Sequence, residues 1–302
     1  MKRKIQWLLW SFLLLFKLLP AQTSPVQKLF PQGTVMHSNI NYAGDASTKH
    51  LLDIYLPAGD KKNLPLVVWI HGGAWMVNDK YADMSYMANT VKGFIAKGYA
   101  LASIDYRYST EAVFPAQIQD CNQALEYLYQ HAKEYNIDRD RIALVGFSAG
   151  GHLACLTGLS NNNDVKDFYP KGAKPHFRIK AVLDFYGPAD LLMLANNPDT
   201  TVNGLSSPVA RLLGATQIAR PDLAKRASPV TYVDKNDPPF LIVQGEKDES
   251  VPNTQSKVLS SWLTLNDVKN QLIVVPGAPH SGEMFDADYI RTALFAFLEA
   301  HL

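Results

Sequence analysis

The sequence predicts an α/β fold built as one domain, and two observations carry that expectation. Short apolar runs recur from Leu51 to Val275, and the stretches between them switch to an apolar spacing of three and four, the period of a helix with one buried side. From Leu66 onward the runs are continuous. Continuous runs mark strands buried on both faces, as in a parallel sheet with helices packed above and below it.

Taken in order, Leu51 to Leu56 alternates, and Leu66 to Ile70, Ala100 to Ile104, Ile142 to Val145, Ala181 to Phe185, Phe240 to Val243 and Leu272 to Val275 follow as strands. Helices are predicted where Ile118, Cys121, Leu125 and Leu128 share one side, where Val258, Trp262 and Leu265 do, and where Ile290, Ala293, Leu294, Phe297 and Leu298 do. One segment breaks the rhythm. From Pro188 to Pro239 the chain carries Asn, Pro, Thr and Ser clusters with two short helix-like pieces, Ser207 to Leu213 and Pro221 to Arg226. So long a connection reads as a small cap inserted over a binding cleft.

The 302 residues carry 29 Lys and Arg against 28 Asp and Glu, a net charge of +1 that argues against a nucleic-acid partner. The N-terminus is set apart. Lys2, Arg3 and Lys4 precede an apolar run from Ile5 to Leu19, broken by Gln6, Ser11 and Lys17, and the segment ends in Pro20-Ala21-Gln22. That layout predicts a signal peptide over residues 1–21, export to the periplasm or medium, and a mature domain over 22–302. A membrane anchor is the weaker alternative, since a spanning helix needs about 20 apolar residues. Cys121 and Cys155 are expected as buried free thiols, with a disulfide as the alternative, and neither has metal-site spacing. No metal or cofactor is implied.

The chemistry is concentrated in "IALVGFSAGGHLACL", Ile142 to Leu156, where a lone hydroxyl is fenced by small residues. A strand that reverses directly into a helix leaves almost no room for side chains at the corner, so Gly146, Ala149, Gly150 and Gly151 are what sterics permit, and Gly146-Phe147-Ser148-Ala149-Gly150 fits such a nucleophile elbow. A serine attacks only if a base takes its proton, and the base needs an acid to orient it. Past the strand ending at Val243 comes Asp248 in "QGEKDESVP", and past Val275 comes His280 in "PGAPHSGE". Ser148, Asp248 and His280 thus stand in the order Ser, Asp, His, each after its own strand. Glu246 and Glu249 are rival acids in the same turn, and Asp184 and Asp190 read as structural caps. His152, one helical turn past Ser148, reads as packing.

Acyl transfer also needs donors for the oxygen that becomes negative in the transition state. "WIHGGAW", Trp69 to Trp75, ends a strand in a glycine turn, so the N–H groups of Gly73 and Ala74, with Gly72 as the alternative, would join that of Ala149. His71 is expected to orient this loop. Trp75, Tyr106, Tyr108 and Phe114 are candidates for ring surface that a sugar or phenolic group would stack on.

Together "HGGAW", "DYRYS…FPAQIQD", "GFSAGGHLA", "PPFLIVQGEKDESVP" and "GAPH" resemble the hormone-sensitive-lipase-like branch of the α/β-hydrolase family, and within it bacterial acetylxylan and feruloyl esterases. The resemblance spans Leu51 to Leu302. It implies a mostly parallel eight-stranded sheet with helices on both faces, Ser148 as nucleophile, His280 as base, Asp248 as its acid, and Gly73, Ala74 and Ala149 as oxyanion donors. It implies a small-molecule or oligosaccharide ester as substrate, with monomer and homodimer both open. The chain departs from the common H-G-G-G pattern at Ala74, whose methyl narrows the acyl side. An arylformamidase, a prolyl-type serine peptidase and a non-catalytic binding module remain as alternatives.

Overall fold

The computed structural model describes residues 25–163, 165–170, 175–196 and 204–302. The leader expected at 1–21 and part of the cap segment, 197–203, lie outside them. Eight strands form one sheet: β1 (Val35–Asn41), β2 (Leu51–Leu56), β3 (Leu64–Ile70), β4 (Ala100–Ile104), β5 (Ile137–Phe147), β6 (Ile179–Phe185), β7 (Phe240–Gly245) and β8 (Asn270–Val275). Their spatial order is β1-β2-β4-β3-β5-β6-β7-β8. Only β2 runs against its neighbours. From β4 to β8 every pairing is parallel, so the carboxyl ends of β3, β5, β7 and β8 emerge along one edge.

Alternate residues of the central strands feed two separate cores, as the continuous apolar runs require. Leu66, Val68 and Ile70 of β3 pack with α2 (Ala116–Gln130), α3 (Ala149–Ser160) and α6 (Thr254–Leu265). Val67 and Trp69 of the same strand pack on the other side with α1 (Ala88–Ala96) and α7 (Asp288–His301). Helices therefore cover both faces. The predicted side of α2 is buried as expected, with Ile118, Cys121, Leu125 and Leu128 all inside, and Ile290, Leu294 and Leu298 are buried on α7.

Two expectations are corrected. Strand β1 has no counterpart among the predicted runs because it is an edge strand that meets the cores only through Met36 and Ile40, while Val35, His37, Ser38 and Asn39 are all exposed. On α6 the buried side is Gln255, Ser256, Leu259 and Leu263, while Trp262 and Leu265 of the predicted side stand in solvent. Two apolar stripes compete on that helix. Only the sheet beneath it selects between them.

The cap segment folds as two short helices, α4 (Pro208–Leu213) and α5 (Pro221–Ala227), close to the pieces read from sequence. Ser207 caps α4, its Oγ accepting the Ala210 N–H at 3.1 Å, and Gly214 ends the helix in the left-handed conformation. Phe114 is buried and its N–H donates to the Leu212 carbonyl at 2.7 Å, so it fastens α4 to the body and offers no ring to a ligand. Cys121 and Cys155 are buried free thiols. Among the described residues no helix is long and apolar enough to cross a membrane.

Candidate active site

Ser148 sits on the turn between β5 and α3 with φ 52° and ψ −117°, outside the regions an ordinary serine occupies. The strain persists because the corner has no alternative. A Cβ at Gly150 would overlap the Ile70 carbonyl oxygen, so only glycine lets α3 start against β3. The Phe185 carbonyl then accepts the Ser148 N–H at 2.8 Å and fixes the turn to β6.

Three loops from that edge bring the predicted residues together. His280 Nε2 is 2.8 Å from Ser148 Oγ, and its Nδ1 is 2.7 Å from Asp248 Oδ2. The ionised carboxylate only accepts, so Nδ1 carries a proton and Nε2 presents its lone pair to the serine hydroxyl. The Asp248 side chain is wholly buried, and it is held there by donors: Gln244 Nε2 at 2.9 Å on Oδ2, and the Ser250 and Val251 N–H groups at 2.9 and 2.8 Å on Oδ1. Glu249 lines the cleft, and the other three rival acids bind backbone N–H groups. Glu246 accepts the Gly277 N–H at 2.8 Å, Asp184 accepts that of Gly187 at 2.9 Å, and Asp190 caps Leu192 and Met193.

The loop after β3 supplies the fourth wall. Gly73, Ala74 and Ala149 line the same cleft as Ser148 and His280, and among the described residues no acceptor takes any of their three N–H groups. Gly72 is different: its N–H donates to Asp83 Oδ2 at 2.7 Å, which removes it from the set. Gly73 has φ 121°, and a Cβ there would collide with the Val77 carbonyl oxygen. Ala74 and Trp75 follow at φ 53° and 58°, two left-handed residues in succession, each costing on the order of 1–2 kcal/mol. The surroundings hold the loop in this shape. His71 Nδ1–H donates to the Gly72 carbonyl at 2.6 Å, and the Tyr106 ring stacks on His71 while its hydroxyl donates to the His71 carbonyl at 2.9 Å. At its far end the loop is anchored by Lys80, whose Nζ reaches Asn39 Oδ1 at 3.0 Å, Asp105 at 3.4 Å and Asp53 at 3.6 Å.

Two expected ligand-facing rings are therefore corrected. Tyr106 is fully buried and supports His71, because β4 ends beneath the loop and not beside the cleft. Tyr108 lies under the Lys49 ammonium, with its hydroxyl on the Asn78 carbonyl, and is absent from the cleft lining. Trp75 does line it, though its indole is almost entirely inside. The cleft measures about 620 Å³, and Leu194, Pro208 and Val209 of the cap segment form part of its wall.

Several residues with no signal in the sequence complete the arrangement. Asp83 also accepts the Tyr86 hydroxyl on Oδ1 at 2.6 Å, Tyr86 accepts from the Tyr186 hydroxyl at 2.7 Å, and the Tyr186 ring packs on His280 with centroids 4.9 Å apart. Burial raises the Asp83 pKa, with the Gly72 N–H and the Tyr86 hydroxyl opposing it. This chain runs from the loop after β3 to the flank of His280. Asp83 and Tyr86 lie in a loop far from any strand end, and Tyr186, directly after β6, looks like any aromatic at a strand end, so spacing could not reveal them.

Burial pushes the pKa of both His71 and His152 down to about 4. Both rings are neutral in the folded protein and return to about 6.5 on unfolding. Their contribution is therefore whole above pH 6.5 and is lost as the pH falls towards 4, on the order of 3 kcal/mol for each. The urea midpoint is expected to drop over that interval, and NMR titration is expected to show neither ring gaining a proton between pH 8 and 5. A ring that titrates near 6.5 in the folded state would contradict this.

The sheet order, the strained serine turn and the Ser-His-Asp geometry define an α/β-hydrolase. The BD-FAE family model matches residues 52–263, and the chain belongs to that family of α/β-hydrolase esterases. It is 31% identical over 268 residues to esterase LipQ of Mycobacterium tuberculosis, covering 86% of this chain and 60% of that one. The chain spans between about half and two thirds of the length of its first three relatives in sequence. Among solved structures it is similar to a truncated form of a carbohydrate esterase from gut microbiota, at 33% identity and a TM-score of 0.77, over 88% of this chain and 95% of that one. It is also similar to a bifunctional GH43-CE protein of Bacteroides eggerthii, at 35% identity and a TM-score of 0.80, over 88% of this chain and 35% of that one.

Proposed function

We propose that the protein is an exported serine carboxylic-ester hydrolase that removes short acyl groups, acetyl foremost, from plant-type carbohydrates through an acyl-enzyme. The observation that carries this reading is the unbroken chain from Ser148 Oγ through His280 to Asp248 beside three unpaired N–H groups. Similarity to two carbohydrate-esterase structures at 33% and 35% identity supports the carbohydrate part.

The steps follow from the geometry. Ser148 Oγ attacks the ester carbonyl carbon as His280 Nε2 takes its proton, and Asp248 stabilises the imidazolium that forms. The carbonyl oxygen, now negative, receives the N–H groups of Gly73, Ala74 and Ala149. His280 then gives its proton to the departing alcohol, leaving Ser148 acylated. Water repeats the sequence and releases the acid.

Acyl size follows from Ala74. A methyl group beside the oxyanion donors, with Trp75 next to it, crowds the acyl side, and intrusion of one methyl costs about 1–3 kcal/mol. In kcat/KM the acetyl ester is expected to exceed the octanoyl ester by roughly 10-fold or more, and Ala74→Gly is expected to narrow that gap. The experiment uses the exported form, whose N-terminus is expected near Gln22, with acetylated xylo-oligosaccharides, methyl ferulate, N-formylkynurenine and acetyl to octanoyl aryl esters. Octanoyl outrunning acetyl refutes the crowding argument. Turnover of N-formylkynurenine alone would replace the esterase reading with an arylformamidase.

A further inference from the structure

We infer that His152 is a positioning residue that sets the acyl pocket, a polar strut that ties the Trp75 indole in the cleft lining to the cap segment that contributes Leu194, Pro208 and Val209 to the same lining. The inference rests on the esterase reading and goes beyond it, because His152 touches neither substrate nor reacting atoms. Its Nδ1 accepts the Trp75 indole N–H at 3.2 Å, and its Nε2–H donates to the Ala227 carbonyl at 2.7 Å. Trp75 offers only a donor and Ala227 only an acceptor, so a single neutral tautomer satisfies both ends. The ring has no exposed surface, and it meets the indole edge-on with centroids 5.1 Å apart.

Each end of the strut bears on the cleft. Trp75 is held at φ 58° directly after Ala74, and its carbonyl accepts the Ser109 N–H at 2.7 Å, so the indole contact fixes the side chain of a residue whose backbone is already strained. Ala227 ends α5. The next residue, Ser228, donates to the Ala224 carbonyl at 2.7 Å and accepts the Leu191 N–H at 2.9 Å, three residues before Leu194 enters the cleft wall. A histidine serving only as packing would be out of place. Burying an imidazole is costly, and an aromatic hydrocarbon of similar size fills space without that cost.

The amide of glutamine reaches the Nε2 position and that of asparagine the Nδ1 position, which lets the two ends be cut separately. His152→Phe and His152→Gln, which lose the acceptor for Trp75, are expected to lower the acetyl-to-butyryl ratio of kcat/KM by about 5–10-fold. His152→Asn, which keeps an acceptor there, is expected to stay within about 2-fold of the wild-type ratio. The variants are compared only after near-wild-type circular dichroism, and Asn serves if Phe does not fold. A second readout needs no substrate: hydrogen exchange of the Trp75 indole N–H, assigned by its loss in Trp75→Phe, is expected to speed up in His152→Gln and not in His152→Asn. An unchanged acyl ratio in folded Phe and Gln variants, or unchanged indole exchange, overturns the inference. Failure of the esterase reading looks different, because the wild-type protein would then be inactive on every ester before any variant is made.

Discussion

Ser148→Ala and His280→Ala are each expected to lower kcat for an acetyl ester by about 10³-fold or more, with folding nearly unchanged. The magnitude follows from the hydrogen-bonded chain, in which each member is useful only through the next: without the hydroxyl His280 has no proton to take, and without the imidazole the hydroxyl stays a weak nucleophile. The two losses are therefore not additive, and the double variant is expected to be little worse than either single one. Asp248→Asn costs somewhat less than either. Its side chain is buried under four donors, so the amide must turn an N–H towards one of them and favours the wrong tautomer of His280. Single-turnover assays that release a coloured alcohol measure acylation directly. Near-normal turnover by Ser148→Ala would sink the mechanism.

The second large effect falls on stability. Lys80→Met is expected to destabilise the fold by about 3–5 kcal/mol, because it leaves Asp53 and Asp105 buried without their cation. Burial works against the Lys80 ammonium, yet Asp105 and then Asp53 outweigh it and hold its pKa above the ordinary lysine value. Removing one partner of such a cluster exposes the desolvation cost of the rest. For a domain of this size the loss corresponds to a fall in Tm on the order of 10 °C. Lys97→Met is the matched control. Lys97 meets Glu299 at 2.8 Å, but the side chains are 45% and 59% exposed, so the change is expected to stay within about 1 kcal/mol. Equal effects of the two substitutions in thermal unfolding would show that the buried cluster contributes nothing special. Lys80 also ends the loop that carries Gly73 and Ala74, so the loss of kcat in Lys80→Met should exceed that in Lys97→Met even below the melting range.

What could be read from the chain depended on whether a residue's role is local. The serine turn is visible because steric crowding at a strand-to-helix corner requires glycine at Gly146, Gly150 and Gly151 around Ser148, and that constraint is written within six consecutive letters. Asp248 and His280 are visible because each follows its own apolar run, although β8, at the edge of the sheet, is buried only at Val275. Tyr106 reads as ligand-facing for the complementary reason. An aromatic at a strand end looks the same whether the space beyond it is cleft or protein, and here the space is filled by His71. On α6 the stripe of Leu259 and Leu263 and that of Trp262 and Leu265 both have helical spacing, and only the presence of β7 and β8 beneath the helix decides between them.

The sequence by itself determined the alternation of strand and helix, the order of Ser148, Asp248 and His280, and the need for glycine at the corner, since each is a constraint among neighbours along the chain. The tertiary structure alone decided the rest. Gly72 is excluded as a donor because Asp83, eleven residues on, takes its N–H. Lys80 is paired because β2 and the end of β4 place Asp53 and Asp105 around it. His152 acquires its strut because an indole 77 residues before it and a carbonyl 75 residues after it arrive at its two nitrogens. Such partners leave no period and no motif, for hydrogen bonds and ion pairs act over about 3–4 Å in space, whatever the separation along the chain.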